Sequence, residues 1–201
     1  MLPAEILSRL GEMALDSGFT QTGRLDTATI KVRQEVRDAC SADKCHSYGK
    51  NWSCPPACGT LEECEKHIRQ YQAGLILQTT GSTSDSFDYE SMVRISEEHN
   101  AHLRIFQEKL ELFAPARPWL ILGAGGCRNC EPCTCPRSPC PTPEKKIVSM
   151  EAMGMLVSEL CAANNIPYYY GPNTLTFMGC LLLQRGTFGT PCLGAGLHHI
   201  G

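Results

Sequence analysis

Four cysteines fall in one short stretch, Cys127, Cys130, Cys133 and Cys140, and Pro141 follows the last. The spacing is C-x2-C-x2-C-x6-C-P. Three thiols separated by two residues can all turn inward on a single loop, which is the geometry a cubane iron–sulfur cluster requires. The bacterial ferredoxin run has the same first spacings and the same closing Cys-Pro, with a shorter last gap. The stretch therefore sets a metal-binding loop in the second half of the chain, and the rest of the fold has to be arranged around it. Cys135 lies inside the same loop as a reserve thiol, and Gly123, Gly125 and Gly126 lead into it. Glycines let backbone amides approach closely, and donors aimed at cluster sulfurs raise a potential. A phosphate-loop reading of these glycines fails, because the Gly-Lys-Ser/Thr ending and the following helix are missing.

A second cysteine loop precedes it. Cys40, Cys45, Cys54 and Cys58 are spaced C-x4-C-x8-C-P-P-A-C. Pro55 and Pro56 stiffen the backbone beside Cys54 and remove two amide donors, which favours a fixed loop over a helix. Tyr48 and Trp52 are placed to roof the site and keep water from sulfur. Zinc sites usually pair two short Cys knuckles at a distance. The spacing here suits a cluster better, but thiolates select both zinc and iron–sulfur, and zinc stays open as the alternative. The simple partition gives Cys40, Cys45, Cys54 and Cys58 to one centre and Cys127, Cys130, Cys133 and Cys140 to the other, with a crossed arrangement as the alternative. In two-cluster ferredoxins the Cys-Pro cysteine serves the other cluster. Cys140 could in the same way complete Cys40, Cys45 and Cys54, leaving Cys135 for the second centre.

Composition narrows the setting. The chain has 201 residues and is 42 % hydrophobic, enough to bury a core without help from metal or disulfides. The formal net charge is −3 and no basic block occurs, so nothing points to nucleic acid. No apolar run is long enough to span a membrane. The N-terminal residues have the pattern of an amphipathic helix and not of a signal peptide, so the cytoplasm is the expected compartment. The 13 cysteines are odd in number and fall below the density of disulfide scaffolds, so reduced thiols are expected.

Periodicity predicts a helix from Pro3 to Asp16, stopped at Gly18, and a second from Asp26 to Asp38 with Ile30, Val32 and Val36 apolar. Thr60 and Glu63 form a capping box for a helix reaching about Tyr71. Ala73 to Thr79 reads as a buried strand, Gly81 to Ser86 as a loop, and Phe87 to Phe113 as a long helix ended by Pro115 and Pro118. Trp119 to Leu122 reads as a short central strand that delivers the chain into the second cysteine loop. Ser149 is placed to cap a helix reaching about Asn164. Tyr168 to Tyr170 and Thr174 to Leu183 read as the last strands, with Pro172-Asn173 a turn. The expected fold is α/β or α+β: one domain over residues 1–201, with a small central sheet flanked by helices and metal-binding loops at 40–58 and 127–140.

Three segments taken together, CHSYGKNWSCPPACGTLEEC, GAGGCRNCEPCTCPRSPC and VSMEAMG, resemble a family of predicted metal-binding proteins of unknown function common in anaerobic bacteria and archaea. The likeness runs from Cys40 to Gly154. It maps onto Cys40, Cys45, Cys54, Cys127, Cys130, Cys133, Cys140 and Ser149-Met150-Glu151. His46 stands where the family often has proline, and Cys58 and Cys135 fall outside its core pattern. The resemblance implies metal, iron–sulfur above all, and an anaerobic setting. It implies no reaction.

Ser149 and Glu151 are further candidates around the cofactor, with Gly125 and Gly126: a helix starting there would offer partial positive charge to an anionic cluster. Ordinary capping explains Ser149 as well. Cys64 and Cys192 are reserve ligands, and Cys161 and Cys180 read as core. His99 and His102 share a helix face but have no carboxylate ligand pattern beside them. His198 and His199 read as part of a frayed tail. The expectation is an iron–sulfur protein with two [4Fe–4S]-type centres that passes electrons to a redox partner. A zinc-binding interaction protein and a cluster enzyme with an open iron site are the alternatives, so whether the chain is an enzyme stays open.

Overall fold

The middle of the sheet is made from apolar runs too continuous to leave either face wet. In Leu75-Ile76-Leu77 and in Cys180-Leu181-Leu182-Leu183 every side chain is buried. Alternate residues of a strand point to opposite faces, so each run supplies both sides of a sheet covered on both faces. The structure, a computed structural model, describes residues 4–116 and 118–184. The tail containing Cys192, His198 and His199 lies outside the described residues.

The described elements are α1 (Ala4–Leu15), β1 (Gln21–Leu25), α2 (Gln34–Ser41), α3 (Leu61–Ile68), β2 (Ala73–Ser82), α4 (Tyr89–Phe113), β3 (Trp119–Gly123), β4 (Val148–Ser149), α5 (Val157–Ala163) and β5 (Thr174–Leu183). The five strands form one open sheet in the order β1-β2-β5-β3-β4. Neighbours run antiparallel except β3 and β4, which are parallel. The fold is thus α+β with a mixed sheet. β5 lies at its centre, paired with β2 from Ala73↔Leu183 to Ser82↔Thr174 and with β3 from Trp119↔Leu183 to Leu122↔Cys180.

Two apolar cores sit on the two faces. Leu10, Phe106 and Leu110 of α1 and α4 pack with Leu75, Leu77, Ile121, Leu181 and Leu183. On the other face Ile68 of α3 and Leu160 and Cys161 of α5 pack with Ile76, Leu122, Cys180 and Leu182. Cys161 and Cys180 are core residues, as their pattern predicts.

Three expected elements differ. The helix predicted over Asp26 to Asp38 is instead a single tight turn at Thr27–Thr29, an extended link, and α2 beginning only at Gln34. Ile30 is buried in extended backbone and Val32 bridges Met155, which suits β-branched side chains better than a helix does. The helix predicted from Ser149 is also absent. Ser149 caps one turn, its Oγ accepting from the Ala152 amide at 3.0 Å, and α5 starts at Val157. Tyr168 to Tyr170 form no strand. By contrast, the Thr60–Glu63 capping box is complete at the start of α3.

Gly18 stops α1 in the left-handed region, at φ 106°, where a side chain is strained. A Cβ there would also lie 2.3 Å from Cδ2 of His102. Gly18→Ala should therefore cost about 1–3 kcal/mol. The midpoint of urea unfolding measures it, and an unchanged midpoint would refute this account of the helix stop.

Candidate metal centre

The first cysteine loop leaves α2 at Cys40 and enters α3 after Cys58. The second leaves the end of β3. Side-chain to backbone hydrogen bonds knit the two together. Asn51 Nδ2 donates to the Cys127 carbonyl at 2.8 Å, and the Cys127 amide donates to Ser53 Oγ at 2.7 Å. Asn51 Oδ1 in turn accepts from the Ser53 amide and hydroxyl, at 3.0 and 2.9 Å. Trp52 straps the far side, its Nε1 donating to Thr134 Oγ1 at 3.2 Å and to the Ser138 carbonyl at 3.1 Å. The indole thus ties one loop to the other. Tyr48, its expected companion, is exposed. Cys135 is buried, and its thiol points at the Gly49 carbonyl of the first loop, 3.8 Å away.

The thiols of Cys40, Cys45 and Cys54 feel one another. Burial pushes the Cys54 thiol up to about 11; the Ser53 hydroxyl opposes this, and neighbouring Cys45, Cys40 and Cys133 add to it. Burial also raises Cys40, with Cys45 and then Glu151 adding to the effect and Arg37 opposing it. Cys133 is thus the second-loop thiol that acts on Cys54. Gly126 faces the same place. A Cβ on it would sit 3.2 Å from Asn51 Nδ2, 3.3 Å from Ser47 Oγ and 3.4 Å from Cys54 Sγ, so the glycine lets the backbone pack close beside the sulfur. Gly125 adopts φ 72°, and a Cβ there would meet nothing within 4 Å.

Glu151 approaches from the one-turn segment after β4. Burial raises its carboxyl, while hydrogen bonds from its own backbone and from Ser149 oppose the shift. It faces Cys40, so Ser149 and Glu151 are turned toward the first loop, although they follow the second in sequence. An open cleft of about 760 Å³ lies there, lined by Arg33, Val36, Cys40, Lys44, Cys45 and Glu151 among others.

Cys58 stands apart. Its thiol is raised first by its hydrogen bond with Cys64 and then by burial, and Cys64 is lowered by the same bond.

All twelve cysteines among the described residues are free thiols. Among the described residues, no group of three or more His, Cys, Asp or Glu side chains is drawn together as a finished cage for an ion. The residues fit a thiolate-bound metal in chemistry and neighbourhood, and closure around it requires the side chains to rotate inward and lose their protons. Metal binding drives both changes.

Residues 23–183 match a family described as predicted metal-binding protein (DUF2284). The chain belongs to this family. No curated protein and no solved structure matches it. For this predicted metal-binding protein, family and cysteine content together support metal binding in general; they do not distinguish iron–sulfur from zinc. No helix among the described residues is long and apolar enough to cross a membrane.

Asn51, Ser53 and Arg37 are the residues that sequence reading overlooked. Asn51 and Ser53 carried a usable signal, since Asn and Ser two apart in a loop commonly hydrogen-bond local backbone. Arg37 carried none, because its partners lie at Gly59, Cys64 and Ala152.

Proposed function

We propose that the two interlocked loops hold two [4Fe–4S]-type centres and that the protein passes electrons to or from a partner redox protein. The observation that carries this reading is the knitting of the two cysteine loops, in which Asn51 and Ser53 of the first bond the Cys127 backbone of the second while Gly126 lies against Cys54. In this reading Cys40, Cys45 and Cys54 hold the first centre with Cys133 as the fourth thiolate. Cys127, Cys130 and Cys140 hold the second, with Cys135 in reserve. Such clusters supply one-electron chemistry, and burial and donors around sulfur tune their potential. The chain's own share is to hold the thiolates on a stiff frame. Asn51 and Ser53 fix the loop backbones, Trp52 covers one flank, and Gly126 lets the second loop pack close against Cys54. The cleft at Cys40 and Cys45 gives a partner's redox group an approach to the first centre.

Anaerobic purification followed by iron and acid-labile sulfide analysis tests the reading. The expected result is a brown protein whose broad visible absorption bleaches with dithionite. Stoichiometric zinc with no sulfide after the same handling replaces it with the zinc reading.

A further inference from the structure

Beside the candidate centre lies a second sulfur site that the metal reading does not use. Cys58 precedes α3 and Cys64 lies in its second turn, so the two residues approach each other at the start of that helix. Cys64 Sγ lies 3.8 Å from the Cys58 carbonyl, and Cys58 Sγ lies 3.9 Å from the Ala152 carbonyl. Arg37 aims its Nη1 at Cys64 Sγ, 3.4 Å away. The same guanidinium is pinned by the Ala152 and Gly59 carbonyls, each at 2.6 Å. A fixed cation at that distance favours the thiolate of Cys64 over its thiol. It also supplies N–H donors beside the sulfur. Cys64 is only 3 % exposed, yet both cysteines line a cleft of about 420 Å³ between α3 and β3. Leu120, Leu122, Val148 and Met153 make one wall of that cleft apolar. His67, one helical turn on, shares its Nε2 with the Tyr71 hydroxyl at 3.2 Å. The set does not make a metal cage.

We infer that Cys64 and Cys58 form a dithiol site that reduces an organic hydroperoxide bound in this cleft. The apolar wall of the cleft receives the hydrocarbon group of the hydroperoxide beside Cys64. The Cys64 thiolate attacks the terminal oxygen of R–O–O–H. The O–O bond breaks, Cys64 becomes the sulfenic acid, and the alkoxide leaves with the Arg37 donors beside it and takes the proton of Cys58. The Cys58 thiolate then attacks Cys64 Sγ. A disulfide forms, and the departing hydroxide takes a proton from solvent. Two sulfurs lose two electrons, and the hydroperoxide ends as an alcohol and water.

The test uses the full chain, purified anaerobically and treated with one equivalent of cumene hydroperoxide. Remaining thiols are alkylated and the peptides weighed. Wild type should yield a Cys58–Cys64 cross-linked peptide. Cys58→Ser should stop at a Cys64 sulfenic acid that dimedone traps, with metal content unchanged. Cys64→Ser should leave Cys58 reduced. Arg37→Gln should slow the reaction on the order of 10²-fold, as loss of a positioned donor to a leaving oxygen does. Its melting curve separates this from misfolding. Hydrogen peroxide, which cannot use the apolar wall, should react about tenfold more slowly. The inference is overturned if Cys58 and Cys64 stay alkylatable while other cysteines oxidise. Loss of metal from Cys58→Ser overturns it too, since Cys58 would then be a ligand.

Discussion

Cys54→Ser should strip the first centre and leave the sheet folded. Cys54 is the most buried of the first-loop candidate ligands, its thiol is acted on by Cys45, Cys40 and Cys133, and Gly126 lies against it. A serine hydroxyl is a poor substitute for a thiolate toward iron or zinc. Metal content per chain should therefore fall by about half, because a site missing a ligand loses most of its binding energy. Neither apolar core contains a residue from 40–58 or 127–140, so the strands and α4 keep their packing. The far-ultraviolet circular dichroism should be close to wild type. Elemental analysis paired with a thermal melt reads both halves. Unchanged metal content would remove Cys54 from the ligand set. Collapse of the whole fold would instead make the centre a structural staple.

Local grammar was legible where it was strong. The amphipathic pattern of α1 and α4, the Thr60–Glu63 capping box and the apolar runs of β2, β3 and β5 each act over a few residues, and all appear in the fold. β1 was missed because Gln21-Thr22-Gly23-Arg24-Leu25 is polar and lies at the sheet edge, where one partner strand suffices. The helix expected over Asp26 to Asp38 failed because Val32 and Arg33 meet residues 154 and 155, a long-range pairing that periodicity cannot register. The same holds for the site. Spacing located both cysteine loops, yet it could not say that Cys133 acts on Cys54 or that Cys58 turns to Cys64. Those choices depend on how α2, α3 and the segment after β4 pack together, and Arg37 is the residue on which all three converge.

His99 should make the fold acid-sensitive. It is completely buried on α4, against Thr79 of β2, with Phe19 and His102 packed edge-on to each other nearby and Phe177 beside it. Its Nδ1 lies 3.0 Å from Thr79 Oγ1, and that hydroxyl lies 3.1 Å from His102 Nδ1. One hydroxyl serves both rings if His99 donates from Nδ1 and Thr79 donates onward to His102. His99 Nε2 then carries only a lone pair, and it has no hydrogen-bond partner among the described residues. Protonation would place an N–H there with nothing to accept it. Burial accordingly lowers the His99 pKa to about 3 from 6.5, and His102 adds to the shift. The unfolded chain takes up a proton below its ordinary value while the folded one does not, so stability is full above that value and falls as pH drops toward the folded one. The slope is about 1.4 kcal/mol per pH unit, or about 2 kcal/mol lost by roughly pH 5. His102, lowered by burial and held up by Glu98, adds a smaller loss of the same sign. Acid also releases metal from thiolates. The informative quantity is therefore the difference between wild type and His99→Leu. As pH falls from neutral, the wild-type urea midpoint should drop relative to that of His99→Leu, because only wild type has the His99 site that takes up a proton on unfolding. Parallel curves across that range would show that His99 titrates freely in the folded chain, contrary to its burial.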